Sequence, residues 1–210
     1  MEIYYNSSTP PTAIVLKWNY KSGTKLYITC SNDYFTGCCS SYYTNGRSIW
    51  TAGTGSTYIT LPDESSSTAK CDFSSPTENW WNSNYGDPAN TVWNGYIIYG
   101  ITWMWDTDSV RIYNYSTAYS STKRIGAAII YVNPHPDAFD GSYEDFGFSE
   151  VSVARQKALL AHELGHVMGL GHSDVGYYAV NDASLMKSSL DSISLSRTSY
   201  DLSELQAHIP

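Results

Sequence analysis

The run from His162 to His172, HELGHVMGLGH, constrains this chain more than any other stretch. It reads His-Glu-x-x-His-x-x-Gly-x-x-His, and each fixed position has a chemical job. On an α-helix His162 and His166 lie one turn apart and project from the same face. Two imidazoles so spaced can hold one Zn2+ at bond lengths of about 2.0–2.1 Å. Glu163 sits beside the first of them, where a carboxylate can reach a water without ligating the metal. Gly169 can take positive φ at little cost, ending the helix in a sharp turn that returns His172 as a third ligand. Three protein ligands leave a fourth position open, as in a catalytic rather than a structural zinc site.

The chain has 210 residues, which suits one domain, expected to divide into an N-terminal lobe over about 12–169 and a small C-terminal lobe over about 170–210. No run of apolar residues approaches the roughly 18 needed to span a membrane. The first residues, Met1 to Ser7, carry neither a basic segment nor an apolar core, so no signal peptide is expected there. Twelve Lys and Arg stand against 20 Asp and Glu, a formal net charge of -8. With no basic patch, nucleic acid and anionic membrane are excluded as main partners. The polar residues are mostly Tyr, Ser, Thr and Asn, a composition common in secreted proteins, and a monomer is expected.

Cys30, Cys38, Cys39 and Cys71 all lie in the first half, away from the histidines. A bond between adjacent Cys38 and Cys39 is strained, so Cys30 and Cys71 are each expected to pair with one of the two. Two disulfides imply an oxidising compartment. A second zinc site and free buried thiols are the alternatives, the first disfavoured because the pair lacks CxxC spacing.

Apolar and β-branched residues between Thr12 and Cys30 predict one or two strands. A helix ending near Trp50 follows, then a long loop over 53–90, interrupted at Tyr58–Leu61 and stapled by Cys71. Segment 91–115 predicts strands broken at Gly95, Gly100 and Asp106-Thr107-Asp108. Its aromatic residues read as the core face of a sheet, with a sugar-binding platform as the alternative. Gly126–Asn133 predicts a further strand, ended by Pro134 and Pro136. The loop 133–148 carries Asp137, Asp140, Glu144 and Asp145, which could supply oxygen ligands to Ca2+ or merely be solvated; His135 is assigned no metal. Helical spacing then runs from about 150, capped by Ser149, to about 168. After irregular structure over 173–199, Tyr200–Ala207 predicts a short helix with Leu202 and Leu205 on one face.

With these residues in view the chain resembles the metzincin clan of zinc endopeptidases. The match covers the whole of His162–His172 and extends to Ser184-Leu185-Met186, which looks like that clan's Met-turn. Ser173 and the ending Tyr200-Asp201-Leu202-Ser203-Glu204-Leu205-Gln206 look most like the matrixin, or matrix-metalloproteinase-like, branch. Lys187 departs from the Tyr-Pro usual there, the histidines of a second zinc are missing, and no cysteine-switch motif is visible. The resemblance implies an α+β zincin fold: a twisted mixed β-sheet, an active-site helix and a small C-terminal lobe. It implies that Met186 forms an apolar base beneath the ligands, that Gly126–Asn133 edges the cleft and pairs with a polypeptide substrate, and that residues 187–195 wall a specificity pocket. It also implies a secreted endopeptidase in which zinc activates a water and Glu163 is the general base. Tyr177 and Tyr178 are candidates to lie nearby. The competing expectations are an extracellular carbohydrate- or protein-binding module that keeps a metal site, and a zinc hydrolase of non-peptide amides.

Overall fold

The computed structural model describes residues 17–18, 21–23, 25–35, 42–85, 92–93, 96–97, 99–112, 124–133, 152–174, 183–189 and 192–208. Among the described residues the strands are β1 (Lys17–Trp18), β2 (Lys21–Ser22), β3 (Lys25–Tyr27), β4 (Cys30–Tyr34), β5 (Ile59–Thr60), β6 (Cys71–Ser74), β7 (Val92–Trp93), β8 (Tyr96–Ile97), β9 (Gly100–Asp106) and β10 (Arg124–Val132). Four α-helices accompany them: α1 (Tyr43–Thr51), α2 (Glu78–Tyr85), α3 (Val153–Val167) and α4 (Ser199–His208). The chain is thus a mixed α+β protein, and no described helix is long and apolar enough to cross a membrane.

Strand β10 is the axis of the main sheet. It pairs antiparallel with β9 along one edge and parallel with β6 along the other, while β1 joins parallel at its start and β4 lies beyond β6. Along β10 and β9 the side chains alternate between the two faces. Ile125, Ala128, Ile130 and Val132 point inward with Thr102, Met104 and Asp106, while Tyr131, Trp103 and Trp105 are half-buried on the opposite face. The register slips between Ile125 and Ala127, where a side chain on Gly126 would press within 2.9 Å of the Asp106 carbonyl oxygen. That close approach is why a glycine stands at the bulge.

Helix α3 packs on the inner face against β9 and β10, and α1 packs on α3. Gly46 lets the two helices approach closely, since a Cβ there would lie 2.8 Å from that of Leu160. The Trp50 indole, fully buried, donates to the Ala161 carbonyl at 2.6 Å. Trp50, Phe73, Met104, Ile130, Leu160 and Leu164 form the centre of the core, each burial contributing about 1.5–3 kcal/mol.

Four expectations are corrected. Gly126–Asn133 does not edge the sheet: it belongs to the interior strand β10, whose apolar run suits pairing on both sides, and among the described residues β9 takes the edge. The long loop over 53–90, whose interruption at Tyr58–Leu61 is β5, also holds β6, α2 and a 3-10 turn at Gly53–Thr57. Cys71 is therefore a core residue of β6 rather than a loop staple. It sits directly opposite Cys30 of β4, and both are fully buried free thiols. Finally, α3 begins at Val153 with Ser152 as its cap, not at Ser149; the Ser152 hydroxyl accepts from Arg155 N–H at 3.4 Å. Cys38, Cys39, the acidic residues Asp137, Asp140, Glu144 and Asp145, and Tyr177 and Tyr178 lie outside the described residues.

Candidate metal centre

The last two turns of α3 carry His162, Glu163 and His166, all buried. The helix then stops at a Schellman closure. Leu170 N–H donates to the Gly165 carbonyl at 3.0 Å, Gly169 N–H donates to that of His166 at 2.8 Å, and Gly169 has φ +96°. This is the turn expected of Gly169, and it returns the chain so that His172 meets the two helical histidines. The His166 and His172 Nε2 atoms are 3.2 Å apart, and one nitrogen from each of the three rings lies within 4.8 Å of the others.

The other side of each helical ring settles which nitrogen is free. His162 Nδ1 lies 2.8 Å from the Leu185 carbonyl, and His166 Nδ1 lies 2.8 Å from that of Leu170. A carbonyl only accepts, so each Nδ1 carries the proton and each Nε2 presents a lone pair. Burial pushes the pKa of His162 down, that of His166 well down, and that of His172 to about 2. The rings are therefore neutral, the form a metal requires. The free Nε2 of His166 faces His172 Nε2 at 3.2 Å, and three converging neutral imidazoles are a donor set that fits a metal ion.

Met186 packs against α3 at Gly165, which lies between the two helical histidines in the chain. A side chain on Gly165 would collide with the Met186 sulfur, so the small residue inside HELGH makes room for the methionine under the helix. The Met186 turn is pinned from several directions. Ser173 N–H donates to its carbonyl at 2.7 Å, and its own N–H donates to Ser184 Oγ at 2.9 Å. Asp201, almost fully buried on α4, accepts from Ser184 Oγ at 2.5 Å and from Leu185 N–H at 3.0 Å. The same carboxylate accepts from Thr198 N–H at 2.8 Å, while Thr198 Oγ1 accepts from Asp201 N–H at 3.2 Å, a reciprocal capping box at the start of α4. An unbroken path thus runs from Asp201 through the Leu185 peptide to the ring of His162. Such outer contacts orient a ligand and fix its tautomer.

Glu163 faces β9, where its Oε2 accepts from Thr102 Oγ1 at 2.6 Å. The structure therefore brings together His162, Glu163, His166, His172 and Met186. Thr102, Gly100, Gly165 and Asp201 complete the surroundings. The Thr198-x-x-Asp201 spacing is a sequence signal for the α4 cap. Nothing local marks Thr102 or Gly100, because their role depends on contacts with Glu163, which for Thr102 is 61 residues away in the chain.

The aromatic residues of β9 are neither in the main core nor a bare platform. On the outer face Trp103 meets Tyr131 edge-on at 5.1 Å, Trp80 of α2 stacks on Tyr131 at 4.4 Å, and the Arg111 guanidinium lies 3.2 Å above Trp103. The protein's own groups partly cover the Trp103 and Tyr131 rings.

No known family model matches this chain, and no curated protein matches it. Its chemistry is read from the residues themselves.

Proposed function

We propose that this chain is a secreted zinc-dependent endopeptidase with a metzincin-like, matrixin-like catalytic domain. The observation that carries the reading is the convergence of three neutral imidazoles, His162 and His166 buried and His172 partly so, with Glu163 buried in the same turn of α3. The three histidines would hold the metal. A bound zinc supplies Lewis acidity, polarising a carbonyl oxygen and making water a better acid.

The remaining work belongs to the chain. Glu163 takes the proton from the water that attacks the substrate carbonyl and passes it to the leaving amine, a task typically contributing about 10²–10⁴-fold to rate. The Leu185 and Leu170 carbonyls hold two of the rings in register. A polypeptide substrate is favoured by the edge of β9. Beyond its Met104 carbonyl and Asp106 N–H, which meet Ile112 and Val110, the backbone groups of Gly100 and Thr102 point away from β10 and pair with no described residue. An extended peptide laid there would gain main-chain hydrogen bonds, with alternate side chains read by the cleft. Secretion is proposed from the composition and from the resemblance.

Incubation with denatured casein or gelatin, with and without a chelator, tests the reading. We expect cleavage that the chelator stops and zinc restores, and that Glu163→Gln reduces by about 10²–10⁴-fold while leaving zinc binding in place. Cleavage that persists in the chelator or in Glu163→Gln would overturn it, and hydrolysis of small amides alone would replace the peptide substrate with a non-peptide one.

A further inference from the structure

Strand β9 presents two different things on its two sides. Alternation puts the side-chain positions of residues 100 and 102 on the same face, toward α3. Both Thr102 and Glu163 are buried, at 3% and 4% exposure. A carboxylate is acceptor-only, so in their 2.6 Å contact the threonine hydroxyl must donate to Oε2. The Glu163 carbonyl lies farther from that hydroxyl, at 3.3 Å, and the single proton goes to the charged and nearer oxygen. On the other side of the carboxyl group is Gly100. A Cβ at that position would stand 2.8 Å from Oε1 and 3.1 Å from Cγ and Cδ, so any side chain there would push the carboxylate away.

We propose that Gly100 and Thr102 form a clamp that positions the Glu163 carboxylate: the Thr102 hydroxyl holds Oε2, and the bare Cα of Gly100 leaves room for Oε1 as the proton-accepting oxygen. Thr102 is then a positioning residue acting through Glu163. The same two residues direct their backbone groups to the outer edge of β9, so a peptide on that edge and the base behind it are referenced to one short length of strand. The role of the clamp in turnover rests on Glu163 being the general base; the clamp itself does not.

The test uses the full zinc-loaded chain and three hydroxyl variants. Thr102→Val removes the hydroxyl at nearly constant shape, Thr102→Ala is a second deletion should the first not fold, and Thr102→Ser keeps it. Loss of an outer contact of this kind lowers activity by about 10–100-fold, so we expect Thr102→Val to lower kcat by that factor, with KM and zinc affinity within about 2-fold of wild type. Thr102→Ser should restore most of kcat, and Gly100→Ala should lower it as Thr102→Val does. A second readout needs no turnover: the carboxyl 13C resonance of Glu163 in the metal-free protein, assigned by its disappearance in Glu163→Gln. It should move in Thr102→Val and stay in place in Thr102→Ser. The proposal is overturned if the resonance ignores Thr102→Val, if kcat is unchanged, if serine rescues no better than valine, or if KM and zinc affinity collapse together with kcat. Should the wild-type chain cleave no peptide at all, the endopeptidase reading fails, and the resonance alone still decides the clamp.

Discussion

At the scale of single residues the centre depends on groups that are small, neutral or bare where a commoner residue would not fit. Gly165 is the sharpest case. Gly165→Ala would force its methyl group into the Met186 sulfur, and overpacking of this kind costs about 1–3 kcal/mol. Urea unfolding of the metal-free protein should show that loss, partly recovered when Met186 is also shortened. The histidines make a second prediction. Burial lowers all three folded-state pKa values below the ordinary 6.5, with His172 near 2. Above pH 6.5 both folded and unfolded rings are neutral and the shift contributes no slope. As pH falls below 6.5 the unfolded chain takes up protons that the folded chain refuses, so stability is lost with acid. The slope is about 1.4 kcal/mol per pH unit for each histidine fully in this regime. Unfolding of the metal-free protein between pH 8 and pH 5 measures it, and a flat profile would contradict neutral, buried rings.

At the scale of elements, α4 matters less as a packing helix than as the carrier of Asp201. Its carboxylate closes the α4 cap and holds the Leu185 peptide, whose carbonyl orients His162. Asp201→Ala should therefore do two separable things. Stability should fall by about 2–4 kcal/mol, since buried donors at Ser184 and Leu185 and the part-buried Thr198 lose their acceptor. Zinc affinity should weaken by about 10-fold because the ring of His162 is no longer held, measurable by competition against a chelating dye. Strand β9 shows the limits of local pattern. Its aromatic density predicts a core face, yet alternation sends Trp103 and Trp105 to the side covered by α2 and leaves Thr102 and Met104 for the core. Helix α2 lies in a stretch rich in Asn, Ser and Gly, where composition predicts a loop. Trp81, fully buried, and Trp80, stacked on Tyr131, supply tertiary contacts that outweigh weak helix propensity.

At the scale of the whole molecule, one sheet holds the Glu163 carboxylate, one helix supplies two candidate ligands, and one turn beyond it brings the third. A metal that binds only the folded centre should then stabilise the entire fold. At free zinc about 1,000-fold above its dissociation constant the gain is about 4 kcal/mol, and chelation should remove it, as a fall in thermal midpoint. The HELGHVMGLGH run determined by itself the candidate ligand set, the neighbouring carboxylate and the helix-ending glycine, because helical periodicity and the positive φ of Gly169 are local properties. That Met186 belongs to the same region was implied only by the resemblance of Ser184-Leu185-Met186 to a Met-turn. Tertiary structure alone decided that β9 and not β10 forms the edge, that Cys30 and Cys71 face each other as buried thiols, and that Thr102, Gly100 and Asp201 surround the centre. Those facts depend on strand order and on contacts between distant segments. Strand pairing and burial are set by the whole core at once, and no window along the chain contains them.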